Sequence, residues 1–290
     1  MNRILLLLLA ALLPCSMTAQ QKSKAKANPA PAVAVPPEPT LTPQEERMLN
    51  GLEKVVIFDS LVVSKRDLFK AYPLSPSAGT LAWADDNTAL ADSLLTLRPT
   101  RHVIAYGDKR IESCPVDSAS SRIGISMRFG GEWTTAEPLF TDADAEEDCQ
   151  NFPYIMADGQ TIYFAQQASD GLGGLDLYMT RQNGDRSGFY RPENIGMPFN
   201  SCANDYLLVI DEENGFGMFA SDRRQATDSV CIYYFIPSEQ RNTYDEDNLS
   251  QEERITLAEI RQIADTWGFG DKEKIEALRE KLRKSLSLIK

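Results

Sequence analysis

Few residues of this chain are equipped for nucleophilic or acid–base catalysis. Its 290 residues include one histidine, His102. A serine or cysteine hydrolase would have to use that histidine as its base, yet it directly precedes a predicted strand, 103–106, and no Gly-x-Ser-x-Gly motif occurs. The 42 acidic residues supply so many carboxylate pairs that glycoside hydrolysis is not specifically indicated. We therefore predict no catalytic residues, with His102 a structural residue at a strand edge.

The acidic segment 142–148 has the composition of a calcium loop but not its spacing. A helix-loop-helix calcium loop requires Gly at its sixth position and Glu at its twelfth, where this chain has Glu147 and Pro153. Zinc is disfavoured because there is one histidine and no Cys-x-x-Cys motif. The stretch 171–174 is no phosphate loop, since no Gly-Lys-Ser/Thr follows it. The sequence thus predicts no metal, no cofactor and a solvated acidic loop.

The cysteines and the charge limit the cellular setting and the partners. Four cysteines follow the N-terminal segment, an even number compatible with two disulfides of undetermined pairing in an oxidising compartment: Cys114, Cys149, Cys202 and Cys231. The chain has 42 acidic against 30 basic residues. Because phosphates demand positive charge, we expect no nucleic acid partner.

A motif used twice organises the middle of the chain. Each copy contains short β-branched and aromatic runs that are bounded by turn residues, as strands are. In the first copy, the pair Asp158 and Gly159 precedes a strand at 161–165, and a second strand follows at 175–180. Gly159 and Gly215 lie 56 positions apart, and Tyr178 and Tyr233 lie 55 apart. A fixed period of this size predicts one antiparallel unit that is repeated.

The combined motifs resemble the TolB-like, WD40-like β-propeller repeats of the Gram-negative cell envelope. They read Pro-x-x-x-x-Asp-Gly-x-x-Ile-Tyr-Phe from residue 153, Gly-Gly-x-Asp-Leu-Tyr from 173 and Pro-Glu-Asn-Ile-Gly from 192, while the second copy keeps Ser-Asp-Arg at 221–223. The resemblance covers residues 152–236. It implies structural roles for the signature residues Asp158, Gly159, Tyr163, Phe164, Gly173, Gly174, Asp176, Tyr178, Pro192, Asn194, Gly196, Ser221, Asp222 and Arg223.

We predict a mainly β fold, a small or partial β-propeller with three to four blades of antiparallel strands in residues 49–240, followed by a C-terminal α-helical segment. A weaker upstream copy ends at Pro138, 54 positions before Pro192. A degenerate first blade could use strands at 55–63, 81–84 and 94–97. Four-bladed closure, an open partial propeller and assembly with other chains all remain open.

The N-terminal segment predicts export. Residues 1–19 combine an early positive charge, a ten-residue apolar run at 4–13 and small residues before a cleavage point, which together indicate a signal peptide. An alternative uses Cys15 as a lipoprotein cysteine and would anchor the chain to the membrane. Residues 20–48 are predicted to be a disordered linker rich in Lys and Pro. No later segment is apolar enough to span a membrane, so we expect a periplasmic protein without a transmembrane segment.

The C-terminal segment, 249–290, predicts helices. Ser250 and Glu253 form a capping box ahead of an apolar stripe. A second stripe follows residue 270 and includes Ile275, Leu278 and Leu282. The helices either pack on the side of the propeller or dock a partner.

Three functions follow from these features. The leading hypothesis is a non-enzymatic interaction or scaffold module that binds another envelope protein, either peptidoglycan-associated or part of the secretion machinery. The alternative is a propeller that binds a glycan or peptide, for which the candidate ligand-facing aromatic residues are Trp133, Tyr163, Tyr178 and Tyr190. A sugar-active lyase or hydrolase ranks last, because such enzymes usually need histidine and metal ligands.

Overall fold

The computed structural model describes residues 41–85, 97–117, 120–140, 149–245 and 247–288. The predicted signal peptide, residues 20–40 of the predicted linker, the strand predicted at 94–97 (all but its last residue) and the acidic segment lie outside the described residues. Strands account for 37% of the structure and helices for 22%. The mainly β fold with a C-terminal helical segment is therefore confirmed.

The described residues form fourteen strands and three α-helices. The strands are β1 (Val56–Ser64), β2 (Thr80–Trp83), β3 (Thr100–Val103), β4 (Lys109–Pro115), β5 (Ser121–Phe129), β6 (Glu132–Trp133), β7 (Glu137–Pro138), β8 (Cys149–Ile155), β9 (Thr161–Gln167), β10 (Asp176–Arg181), β11 (Glu193–Asn194), β12 (Asp205–Asp211), β13 (Phe216–Ser221) and β14 (Ser229–Ile236). The helices are α1 (Pro43–Asn50), α2 (Gln251–Ala258) and α3 (Lys272–Ser287), with 3-10 turns at Lys65–Ala71, Pro76–Ala78 and Ile263–Phe269.

The strands divide into three antiparallel groups, which we name sheets A, B and C. Sheet A contains β2 to β7, with β3, β4, β5 and β7 in succession, and sheet B contains β8 to β11. One parallel pair, Ser121 with Cys149, joins sheets A and B into a continuous ten-stranded sheet. Sheet C has the order β1-β14-β13-β12. The described strands form no closed ring, so the propeller and its blade count stay predictions.

Sheets B and C share a local irregularity as well as a strand order. Strand β8 of sheet B has a register shift opposite β9, and strand β12 of sheet C has one opposite β13. At each shift a non-glycine residue has a positive φ, 54° at Phe152 and 40° at Leu207. These two residues lie 55 positions apart, which is the sequence period. The repeated motif therefore folds twice into the same bulged antiparallel unit.

Strand β1 does not belong to a degenerate first blade, and that prediction is wrong. It pairs with β14 over its length, from Val56 opposite Ile236 to Ser64 opposite Ser229. An N-terminal strand thus completes the sheet formed by the last three strands of the chain. Its partner is chosen by packing between distant segments, which a local strand pattern does not encode.

The helices bury their apolar stripes within the chain. The capping box of Ser250 and Glu253 is present at the start of α2. Ile275, Leu278 and Leu282 of α3 join the same core cluster as the strands of sheet C. Helix α1 includes residues 43–48, at the end of the predicted linker, because Thr42 caps it and Leu49 packs in a small cluster with α2. The structure thus favours helices that pack on the sheets over helices that present an apolar stripe.

Candidate interaction surface

The loop at 171–174, which we name the glycine loop, contains signature residues with structural roles. Asp176 is fully buried, and its Oδ2 accepts hydrogen bonds from the backbone N–H of Leu172 and, at 3.3 Å, from Nδ2 of Asn194. Burial raises the pKa of Asp176 to about 7. A Cβ on Gly173 would lie 2.1 Å from the carbonyl oxygen of Ala203, so only glycine fits there. The loop and its carboxylate fix the junction between sheets B and C.

The Ser-Asp-Arg corner is a second buried network. Arg223 is 3% exposed, and its guanidinium donates to Asp205 at 2.7 Å and to the carbonyl oxygens of Pro198 and Phe199 at 2.9 and 2.7 Å. Its Nε also donates to the hydroxyl of Ser221 at 2.8 Å. Every contact of this arginine lies inside the fold, which indicates a structural rather than a ligand-binding role.

The remaining signature residues build turns and core. Asp158 accepts hydrogen bonds from the backbone N–H groups of Gln160 and Thr161, while Gly159 supplies a φ of 67° for the turn. Gly196, with a φ of 76°, donates to Oδ1 of Asn194. The other members lie as follows: Phe164 is fully buried in the core, Asp222 accepts from Lys65 and Asn204, and Pro192 directly precedes β11.

The four candidate aromatic residues do not form one ligand-facing surface. Tyr163 lies opposite Met179 and Tyr178 lies opposite Phe164, so the two tyrosines project from opposite faces of sheet B. Tyr178 is 1% exposed and therefore closed to ligands. Tyr190 is exposed at the far end of β10, and Trp133 lies in sheet A. A shared stacking site for all four is excluded.

His102 is a buried structural residue. Its Nδ1 accepts a hydrogen bond from the backbone N–H of Ile155, which leaves the proton on Nε2 to donate to the carbonyl oxygen of Ala78 at 2.8 Å. Burial lowers the pKa of this imidazole to about 4. The neutral ring therefore links sheets A and B, and both of its nitrogens are engaged.

The four cysteines are free thiols. Cys149 and Cys231 are buried, whereas Cys202 is exposed.

Within the described ranges, no group of three or more acidic, histidine or cysteine side chains is arranged to hold a metal ion. In the same ranges, no helix is long and apolar enough to cross a bilayer.

One face of sheet A is basic. Successive side chains of a strand alternate between faces, and the face with Ile111 and Ile123 packs against sheet B. The residues that alternate with these isoleucines along β4 and β5 therefore project from the opposite face. On that face, Arg110 pairs with Ser126, and Arg128 pairs with Trp133. We name it the basic face and define it by Arg101, Arg110, Glu112, Arg122, Arg128 and Trp133.

Trp133 is held between two arginines of the basic face. The guanidinium carbons of Arg110 and Arg128 lie 4.7 and 5.8 Å from the centre of its ring system. Arg110 also forms an ion pair with Glu112 at 2.6 Å, and Nε of Arg128 donates to the carbonyl oxygen of Gly131 at 3.1 Å. These contacts hold both arginines in place on the basic face.

The hairpin beside the basic face projects aromatic residues into solvent. Gly130 and Gly131, with φ of 59° and 95°, form its turn. Phe129 is 68% exposed there. The turn that contains Tyr106 extends from the same end of the sheet, because Lys109 pairs with Met127, and Tyr106 is 91% exposed. Aromatic and arginine side chains together are the composition of protein interfaces.

Sequence reasoning found Trp133 but missed its arginines. A signal was present, since Arg122, Gly124, Ser126 and Arg128 follow the two-residue period of one strand face. Only the structure shows the strand register that places Arg110 of β4 on the same face.

Comparisons with models of protein families, with curated proteins and with solved structures found no match to this chain.

Proposed function

We propose that this chain is a non-enzymatic protein-binding module of the Gram-negative cell envelope, exported to the periplasm, and that the basic face of sheet A is its binding surface. The signal-peptide pattern and the resemblance to TolB-like repeats support the location. The observation that carries the proposal is the pair of arginines held on Trp133 at 4.7 and 5.8 Å. Preorganised aromatic and arginine side chains are typical of interface hot spots.

The charge of this face points to an acidic polypeptide as the partner. Four arginines and one glutamate define the face, although the whole chain has a net charge of −12. Arginine binds carboxylates through two parallel hydrogen bonds. A segment rich in Asp and Glu would match the face in charge and would be repelled by the acidic remainder of the surface.

Site-specific photocrosslinking in cells tests this proposal. A photoreactive phenylalanine analogue replaces Phe129 beside the basic face or, as the control, Tyr190 on sheet B, where the exposed fraction is a similar 59%. We expect a partner at position 129 only, joined through a peptide rich in Asp and Glu. The purified partner should bind the native chain and lose affinity for the Arg128→Glu variant. Equal labelling at both positions, or a partner whose binding survives that substitution, would refute the proposal.

A further inference from the structure

A concave site lies between the start of β1, the loop at 237–245 that follows β14, and Phe269. Its volume is about 630 Å³, within the range of small-molecule sites. The wall is mostly polar and includes Lys54, Ser238, Arg241, Asn242, Thr243 and Phe269. None of these residues belongs to the repeat signature or to the basic face. The cavity is therefore a separate candidate for ligand binding.

Phe269 gives this polar cavity one aromatic wall. The side chain is 45% exposed and lines the cavity. Tyr244, itself buried, holds the ring edge-on, with centroids 6.0 Å apart and planes at 75°. The face of an aromatic ring carries negative charge and attracts weakly positive C–H groups. The exposed part of the Phe269 ring is thus available as a stacking surface.

The cations of the cavity already have counterions. Nζ of Lys54 lies 2.6 Å from a carboxylate oxygen of Asp247, and Nε of Arg241 lies 3.6 Å from one of Glu53. Arg241 also donates to the carbonyl oxygen of Gly51 at 3.0 Å. Because their charges are balanced, these cations would gain little from an anionic ligand. The site favours an uncharged polar molecule.

The remaining polar groups of the cavity provide hydrogen-bond acceptors. The exposed amide of Asn242 donates through Nδ2 within its own loop, to the hydroxyl of Ser238 at 3.5 Å and to the carbonyl oxygen of Gln240 at 3.3 Å, and its Oδ1 is an acceptor. Thr243 donates to Asp245 at 2.7 Å, which leaves the second oxygen of that carboxylate as an acceptor. A ligand made of hydroxyl groups matches these acceptors, since each hydroxyl can donate a hydrogen bond.

We propose that this cavity binds a neutral saccharide. The sugar ring stacks its C–H face on Phe269 and donates hydrogen bonds from its hydroxyl groups to the amide oxygen of Asn242 and to the carboxylate of Asp245. The proposal does not depend on the protein partner of the basic face. It also differs from a sugar site on the four aromatic residues considered from the sequence, which the structure does not bring together.

The test is an NMR titration of the full chain with maltotriose, cellotriose and chitotriose, and with inorganic sulfate as an anionic probe. We expect at least one neutral sugar to shift the side-chain amide signals of Asn242 and the ring signals of Phe269, and sulfate to leave them unchanged. No shift with any of the three sugars, or stronger shifts with sulfate, would overturn the proposal.

Two variants and one control locate the binding. Phe269→Ala and Asn242→Ala should each weaken the sugar affinity by about tenfold, equivalent to the loss of one good contact. Tyr190→Ala, which removes another exposed aromatic residue, should leave it unchanged. Asn242 is exposed in a loop, so its replacement keeps the test valid even if Phe269→Ala is destabilised. Unchanged affinity in Asn242→Ala would place the sugar elsewhere and contradict the proposal.

Discussion

Sheets A and C, the first and the last sheet along the repeat region, differ in the faces that they present. One face of sheet C is aromatic, with Phe58, Phe216 and Tyr234 in mutual contact. The turn at 65–71 covers that face, since the hydroxyl of Tyr234 donates to the carbonyl oxygen of Ala71 at 2.7 Å. The basic face of sheet A is built of arginines on Trp133, and no α-helix among the described residues packs on it.

Under the proposed function, this difference separates a sheet that contributes stability from a sheet that contributes the binding surface. Apolar sheet faces must be covered, and in sheet C the turn at 65–71 and helix α3 pack on the strands, while β1 extends the edge of the sheet. Terminal repeats of repeat proteins instead present a polar face. On the basic face Arg128 is exposed, whereas the side chains of Arg110 and Glu112 are mostly buried. Substitutions in sheet C should therefore alter folding, and substitutions on the basic face should alter binding.

The largest contrast is expected between two arginines. Arg223→Ala leaves the fully buried Asp205 without its counterion, at a cost of about 3–5 kcal/mol in the free energy of unfolding. Arg128→Ala on the exposed hairpin should change the free energy of unfolding by less than about 0.5 kcal/mol. Denaturant-induced unfolding of both variants measures the difference. Similar losses in the two would mean that the basic face is also structural.

A smaller contrast is expected within helix α3. Leu282 is 2% exposed against sheet C, whereas Leu288 directly follows the helix and is 85% exposed. Leu282→Ala should cost about 2–4 kcal/mol because it leaves a cavity, and Leu288→Ala should cost almost nothing. Thermal unfolding reports both. A stable Leu282→Ala variant would show that the helix does not support sheet C.

Two buried aspartates, one in sheet C and one in sheet B, should differ in how they make stability depend on pH. Asp205 of sheet C has Arg223 beside it, whereas Asp176 of sheet B has no ion pair among the described residues, and burial raises its pKa to about 7. The folded chain therefore holds a proton at Asp176 that the unfolded chain releases near pH 4, so stability falls as pH rises from about 4 to 7. Asp176→Asn should remove this decline. Denaturation curves across that range check it, and an unchanged slope would assign the decline to another group.

Local structure was predictable where neighbouring residues determine it. The strand after Asp158 and Gly159 and the capping box of Ser250 appear in the structure as predicted, because turn and cap hydrogen bonds involve residues two or three positions apart. The pairing of β1 with β14 was not predictable, because the paired residues lie 165 to 180 positions apart and many strands could have satisfied the same pattern.

The candidate surfaces show the same limit. The sequence drew attention to Trp133 and Tyr178 as aromatic residues, but only the strand register shows that Tyr178 faces the core and Trp133 faces two arginines. Phe269 gave no sequence signal beyond a break in a helical pattern. Its value as a stacking surface depends on the loop at 237–245, which approaches it through the tertiary fold.

The smallest expected effect concerns the contact that preorganises the basic face. Nε of Arg110 is buried and has no hydrogen-bond partner among the described residues, while its guanidinium lies 4.7 Å from the Trp133 ring. Trp133→Leu should lower the free energy of unfolding by less than about 1 kcal/mol. It should also shift the Arg110 Nε–H proton signal downfield, since the shielding by the indole face is lost. Tyr190→Leu is the control and should leave that signal in place. An Arg110 signal that ignores the loss of Trp133 would mean that the arginine is mobile, and the basic face would then have to be ordered by its partner.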